Sequence, residues 1–255
     1  MKAMILAGGF GTRLAEETTI RPKPMVEIGG RPILWHIMHH YAKHGISDFV
    51  VCLGYKAEYV KQFFIDYART LSDFTVDLSS NEIHVHERRS EDWKVTLVDT
   101  GRDTMTGGRI KRAISYVDPD EPFCLTYGDG LSDVDITASI AFHKAHGKLA
   151  TVTAVSPPGR FGVLDVQGDH EVVGFREKIA SDQYRINGGF FVLDPKVTEF
   201  IDGDETVWEQ DPLIRLSSTG NLRAWNHEGF WQPMDTLRDK LHLESLWNSG
   251  NPPWK

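Results

Sequence analysis

Short apolar runs alternate with stretches of helical spacing through the first half of the chain, and this alternation limits the fold more than any other feature. Ala3-Met4-Ile5-Leu6-Ala7 is an apolar run that stops at Gly8-Gly9, as a strand buried on both faces does. Pro32 to Gly45 reads as a helix: Pro32 suits a first turn, Ile33, Leu34, Ile37, Met38 and Tyr41 recur at helical spacing, and Gly45 closes the end. The pattern continues with a strand at Phe49 to Leu53, a helix at Ala57 to Tyr67 and a strand at Val95 to Asp99. A helix from about Arg109 to Tyr116, a strand at Phe123 to Thr126 and a helix at Asp135 to His146 follow. A chain of this kind buries its runs in a largely parallel sheet covered on both faces. The expected fold class is therefore α/β, a Rossmann-like, mostly parallel sheet with helices on both faces.

After Leu149 the texture changes. Runs at 149–155, 161–166 and 171–177 alternate with turns such as Gly168-Asp169, which predicts antiparallel hairpins. Pro195 to Ile201, Val207 to Ser217 and Thr236 to Trp247 read as helices. No repeat, low-complexity tract or linker interrupts residues 1–255, so the expectation is a single domain with two halves, 1–148 and 149–255.

Composition narrows the function classes. Hydrophobic residues make up 40% of the chain, with 13 Phe, 7 Trp and 7 Tyr, enough for a packed core and incompatible with a disordered or fibrous chain. Lys and Arg number 28 against 36 Asp and Glu, a net charge of −8. That balance argues against a dedicated nucleic-acid or anionic-membrane binder, while leaving room for a small anion in a local basic pocket. No run approaches the ~20 apolar residues of a membrane helix, and the N-terminal run is too short for a signal peptide. Cys52 and Cys124 each sit among apolar neighbours and read as core residues, not as a disulfide. The expected setting is the cytoplasm.

Two motifs carry chemistry. Leu6-Ala7-Gly8-Gly9-Phe10-Gly11-Thr12-Arg13-Leu14 follows the first strand directly. Missing Cβ atoms let backbone N–H groups close on an anion, and Arg13 adds a fork suited to phosphate. The dinucleotide fingerprint is not met, because Leu14 stands at its third small position and prolines follow; the Walker pattern is absent as well. In Arg21-Pro22-Lys23-Pro24-Met25, prolines on both sides stiffen the backbone of Lys23. Each motif also has an ordinary reading, as a structural turn and as a solvated basic loop. Asp129, between Gly128 and Gly130 after a buried strand, belongs at the strand's carboxyl end, where ligands of open α/β sheets gather.

Together these elements resemble the sugar-nucleotide pyrophosphorylases. The resemblance spans essentially the whole chain and is carried by the glycine block, Pro22-Lys23-Pro24-Met25, Tyr127-Gly128-Asp129-Gly130, Phe175-Arg176-Glu177-Lys178 and Asn187-Gly188-Gly189-Phe190. Further blocks, among them Met105-Thr106-Gly107-Gly108-Arg109 and Phe230-Trp231-Gln232-Pro233-Met234-Asp235, are similar to the branch that works on CTP and glucose 1-phosphate. The resemblance implies a nucleotide-diphospho-sugar transferase fold, with 1–148 mainly nucleotide-binding and 149–255 mainly for sugar binding and oligomer contacts. It implies transfer of CMP from CTP to α-D-glucose 1-phosphate, giving CDP-glucose and pyrophosphate with Mg2+, in a homo-oligomer expected to be a hexamer. CDP-glucose feeds dideoxyhexoses of bacterial surface polysaccharides such as O antigen.

The resemblance also distributes roles. It brings Asp235 opposite Asp129 as Mg2+ ligands, with Lys23 and Arg13 on the phosphates. Leu6 to Thr12 and Gly128 hold nucleotide, Glu177 and Lys178 lie at the sugar phosphate, and Asn187 and Gly188 bind sugar hydroxyls. Arg109 is the candidate base reader, with Thr104 in reach. Cytosine presents O2 and N3 as adjacent acceptors whereas uracil carries a proton on N3, and a guanidinium has only donors. Other signals carry less. His36, His40 and His44 recur at four-residue spacing without the Glu or Cys a zinc site needs, and read as a helix face or subunit contact. His84 and His86 read as the polar face of an exposed strand. The tail from Ser249 to Pro253 should stop the last helix and leave a mobile end.

Overall fold

The computed structural model describes residues 1–87, 89–156, 163–167, 171–176 and 185–255. Of these, 13, 15, 16, 163–167 and 171–176 are described in backbone only. A seven-stranded sheet organises the chain: β1 (Ala3–Leu6), β2 (Asp48–Leu53), β3 (Lys94–Asp99), β4 (Phe123–Tyr127), β5 (Ala150–Val155), β6 (Ile186–Leu193) and β7 (Leu222–His227), in the order β7-β5-β6-β4-β1-β2-β3. All neighbours are parallel except β6, which runs antiparallel to both β4 and β5. The α/β expectation is met, and three strands of the second half extend the same sheet.

Among the described residues, six helices of eight residues or more accompany it: α1 (Ile33–Lys43), α2 (Ala57–Leu71), α3 (Thr106–Ala113), α4 (Ile136–His146), α5 (Asp211–Ser218) and α6 (Leu237–Asn248). Side chains of a strand alternate between faces, and β1 shows what this does. Ala3 and Ile5 join a core cluster with Leu34, Ile37 and Tyr41 of α1, whereas Met4 and Leu6 join the opposite cluster with Ile110 and Ala113 of α3. Cys52 and Cys124 are buried and unpaired, and burial pushes both thiols up to about 12.

The chain builds β1, β2 and β3 outward in one direction, then crosses back to place β4 on the other side of β1. Connections leave β1 and β4 in opposite directions, so a crevice opens at their carboxyl ends.

Several expectations are corrected. The run at 149–155 is no hairpin strand: β5 lies inside the main sheet, because Ala150 to Val155 is covered on both faces. The strands Val163–Gln167 and Glu171–Arg176 do pair antiparallel, while the turn at Gly168-Asp169 falls outside the described residues. The helix expected from Val207 begins only at Asp211. Edge strand β7 escaped the sequence reading because no residue of it is fully buried. His84 and His86 lie on the exposed strand Glu82–Glu87, paired with Asp73–Asp77.

Of the three spaced histidines, His36 and His40 are buried core groups, whereas His44 lies half-buried just past the end of α1. His36, 2% exposed, donates from Nε2 to the Ile28 carbonyl at 2.8 Å and accepts from Trp254 Nε1 at 3.3 Å. Protonating it would set one N–H against another. His40 donates from Nε2 to the Val134 carbonyl at 2.9 Å. The tail is likewise fastened: Trp254 is 2% exposed and stacks on Phe230 at 5.5 Å, so the last residues close the core over α1.

Burial lowers His36 and His40 from 6.5 to about 4. Between those values the unfolded chain binds protons that the folded chain refuses, so stability falls as pH drops through that window. Melting curves should be flat from about pH 8 to about pH 7 and then lose about 1 kcal/mol per pH unit for each histidine down to about pH 5, with a shallower slope below about pH 6.5 in His36→Gln. Trp254→Ala should cost about 3 kcal/mol in denaturant unfolding.

Candidate active site

The crevice at the ends of β1 and β4 is a cavity of about 680 Å³. Its wall begins with the glycine loop. Ala7 still bonds to the Cys52 carbonyl at 2.9 Å, and beyond it the chain leaves the sheet. Gly11 has φ of +63°, a left-handed value that glycine adopts without strain. Gly8 is required for a different reason. A Cβ there would lie 2.2 Å from Arg109 Nη1, so the guanidinium can pack directly beneath the loop only because the side chain is missing.

Arg109 is 5% exposed. Its Nη1 donates to the Leu53 carbonyl, Thr100 Oγ1 and the Gly101 carbonyl at 3.0, 2.8 and 2.7 Å. Its Nη2 donates to the carbonyls of Gly8 and Arg102, both at 3.1 Å. One cation thus ties the glycine loop to the loops after β2 and β3. Arg109 lines the cavity, and bridging O2 and N3 of a base would require it to exchange some of these acceptors. Thr104, 8% exposed, lines the same wall.

The centre of the cavity is an ion triad. Lys23 starts a 3-10 turn, Lys23–Met25, between Pro22 and Pro24. Its side chain is 9% exposed, and Nζ donates to Asp129 Oδ2 at 2.6 Å and to Asp235 Oδ1 at 2.9 Å. Burial acts to lower the pKa of this ammonium, but the charges and hydrogen bonds of Asp129 and Asp235 outweigh it and hold the pKa above the usual lysine value. Expected at the carboxyl end of β4, Asp129 is there, and Gly128 brings it in close: its N–H bonds to the Leu6 carbonyl at 2.9 Å, and a Cβ would meet that oxygen and Pro24 Cγ at 3.1 Å.

Asp235 arrives by a longer route. Trp231–Pro233 pairs antiparallel with Gly130–Ser132, and Met234 N–H bonds to the Asp129 carbonyl at 2.8 Å. The capping box of α6 then fixes the backbone, with Asp239 Oδ2 accepting from the N–H of Asp235 at 3.1 Å and of Thr236 at 2.9 Å. Lys23, Asp129 and Asp235 therefore meet from three distant segments.

Leu6 to Thr12, Lys23, Thr104, Arg109, Gly128, Asp129, Asn187 and Asp235 all border this one cavity. Gly188 lies outside its lining, buried against Val155, with its carbonyl accepting from Trp231 Nε1 at 2.6 Å. For Arg13 only the backbone, in the turn Thr12–Leu14, is described. Glu177 and Lys178 fall outside the described residues. Among the described residues no set of three or more His, Cys, Asp or Glu is poised around a metal; the acidic donors of the cavity centre are Asp129 and Asp235.

The sequence reading missed one cluster. Tyr127 donates to Glu209, whose Oε2 also accepts from Thr106 Oγ1 at 2.7 Å. Burial, then the Glu209 charge, push the Tyr127 phenol well above its usual pKa. Glu209 thus links the start of α3 to the end of β4 across the cavity wall. Tyr127 and Trp231 were visible inside recognisable blocks, but nothing in the string of residues 207–211 marks Glu209.

A model of the nucleotidyl transferase family matches residues 2–218, and the chain belongs to that family. Among curated relatives it is 59% identical over 255 residues to the glucose-1-phosphate cytidylyltransferase of Salmonella typhi, covering 100% of this chain and 99% of that one. It is 44% identical to a probable glucose-1-phosphate cytidylyltransferase of Bacillus subtilis, covering 100% and 99%. Among solved structures, HddC from Yersinia pseudotuberculosis complexed with GMP-PN superposes with a TM-score of 0.70 at 25% identity, covering 96% of this chain and 99% of that chain. A UDP-glucose pyrophosphorylase from Acinetobacter baumanii gives 0.72 at 18% identity, covering 98% and 94%, a likeness of fold.

If Gly8 serves the approach of Arg109, Gly8→Val should lower the melting temperature and abolish nucleotide binding together. Calorimetric titration of a folded variant with CTP checks this, since retained affinity would separate the loop from the site.

Proposed function

We propose that the chain transfers CMP from CTP to α-D-glucose 1-phosphate, releasing CDP-glucose and pyrophosphate. The observation that carries this reading is the meeting of Lys23, Asp129 and Asp235 beneath the glycine loop, in a chain 59% identical to a glucose-1-phosphate cytidylyltransferase over its full length.

The reaction needs no protein nucleophile. A phosphate oxygen of the sugar phosphate attacks the α-phosphorus in line, the bond to the β-phosphate breaks, and pyrophosphate leaves. What the protein supplies is position and charge. Backbone N–H groups of the loop from Gly8 to Thr12 hold the triphosphate, and Lys23 and Arg13 are the cations assigned to its charge. Asn187, bordering the cavity, accepts and donates toward sugar hydroxyls; Glu177 and Lys178 take the sugar phosphate. Two carboxylates gathered round one ammonium and partly exposed to the cavity, 31% and 22%, are oxygen donors of the kind Mg2+ takes together with phosphate oxygens and water. Asp129 and Asp235 would hold the ion, which when bound offsets charge on the phosphates.

At the base end, Arg109 offers donors that suit O2 and N3 of cytosine, beside Thr104. Buried, unpaired Cys52 and Cys124 fit a reducing compartment, the cytoplasm; among the described residues no helix is long and apolar enough to cross a membrane. The homo-oligomer is supported by the hairpin Asp73–Asp77 with Glu82–Glu87, whose Phe74, Val76, Ile83 and Val85 pair on one face and are all exposed, a surface suited to another subunit.

Pyrophosphate release with glucose 1-phosphate and Mg2+ should be strong with CTP, weak with UTP and dTTP, and abolished by EDTA. Equal release with UTP would remove the cytidylyl assignment. Lys23→Ala and Asp129→Asn should each fold and lose turnover by about a hundredfold or more. Arg109→Ala should harm CTP use more than UTP use; equal losses would leave Arg109 as a loop support alone.

A further inference from the structure

We infer that Lys23 is the resting counter-ion of the carboxylate pair, and that a divalent cation enters the site by displacing it, which turns its ammonium toward the nucleotide phosphate. This rests on the reading of Asp129 and Asp235 as cation ligands.

The geometry makes the two cations exclusive. Nζ stands 2.6 Å from Asp129 Oδ2 and 2.9 Å from Asp235 Oδ1, so it already occupies the gap between the two carboxylates. A divalent ion seated between them with the ammonium in place would set three positive charges against two negative ones at contact distance, and ammonium offers no lone pair to soften the encounter. One of the two must leave.

The lysine has somewhere to go. Its backbone is held in the turn Lys23–Met25, with the Met25 N–H on the Pro22 carbonyl at 2.8 Å and the Val26 N–H on the Lys23 carbonyl at 3.1 Å. Only the side chain is free to swing. Its stem already lies under the glycine loop, since a Cβ on Gly11 would come within 3.0 Å of Lys23 Cβ. An anion seated in that loop lies within the arc of the four-carbon stem and offers the ammonium a new partner. Without such an anion, displacement leaves a largely buried ammonium unpaired, which is costly.

Two consequences follow by linkage. Metal alone binds weakly, because it must strip the lysine of both partners. Nucleotide and metal strengthen each other, and the coupling must be reciprocal. Lys23 thus acts twice, as a gate on the cation position before the substrate arrives and as a phosphate ligand afterwards.

The test is Mn2+ binding to the purified full chain, followed by electron paramagnetic resonance without nucleotide and then with a non-reacting CTP analogue. Lys23→Met should bind Mn2+ alone about tenfold more tightly than the wild type, the effect of removing one well-paired competitor. Lys23→Arg, which keeps the charge, should bind no more tightly than the wild type, and Asp129→Asn should bind more weakly than either. The nucleotide analogue should tighten Mn2+ binding more in the wild type than in Lys23→Met. Circular dichroism melts confirm folding, and Lys23→Gln replaces Lys23→Met if the latter melts early. Unchanged or weaker Mn2+ binding in both Lys23→Met and Lys23→Gln, with binding lost in Asp129→Asn, would overturn the displacement while leaving the ligand reading intact. Wild-type binding in Asp129→Asn would overturn the ligand reading itself.

Discussion

Two carboxylates held together inside a protein repel, and the rest of this structure is arranged around that problem. Lys23 answers it with an ammonium within 3 Å of both. Because Coulomb energy rises as separation falls, two attractions at hydrogen-bond distance outweigh one repulsion across the ammonium. The balance holds only while all three groups stay in register. That demand explains the fastening around them: a proline-flanked turn under Lys23, a glycine that lets Asp129 approach β1, and a capping box that fixes the backbone at Asp235. Like charges kept close around one ammonium make a site suited to a stronger cation, with phosphate oxygens to complete its shell.

A second constraint lies one layer below. Arg109 gathers acceptors from the ends of β1, β2 and β3, where three loops would otherwise move independently. Gly8 and Gly54 make room for it, since a Cβ on either would come within 2.5 Å of Nη1. Loops fixed from beneath need not be ordered when a substrate arrives, and stabilisation of a transition state depends on such prior fixing of donors. The glycines are thus explained by a cation behind them as much as by an anion in front.

Much of the fold was legible in the residues. The continuous apolar run of β1 and helical spacing in α1 placed helices on both sheet faces, because strands buried on both sides admit few other arrangements. Errors fell where local pattern and tertiary position disagree. The run at 149–155 looked like a hairpin strand and proved to be interior strand β5. The histidines of α1 looked like an outer face because polarity alone does not reveal a partner; the Ile28 and Val134 carbonyls and Trp254 Nε1 let His36 and His40 be buried neutral. The tail looked mobile because Trp254 gives no sign in the sequence of the ring stack it joins.

By itself the sequence determined the sheet class, the glycine loop, the stiffened Lys23 and the position of Asp129 at a strand end, since each depends on neighbours a few residues away. The resemblance set Asp235 opposite Asp129, but only the tertiary structure decided that Lys23 bridges them, that Arg109 lies beneath Gly8, and that Glu209 reaches Tyr127 and Thr106. Those contacts join groups about 80 to 210 residues apart in the chain. The reason is physical. Local propensity acts over a turn or a strand, whereas charges and hydrogen-bond donors find distant partners only after the core has closed and water has been excluded around them.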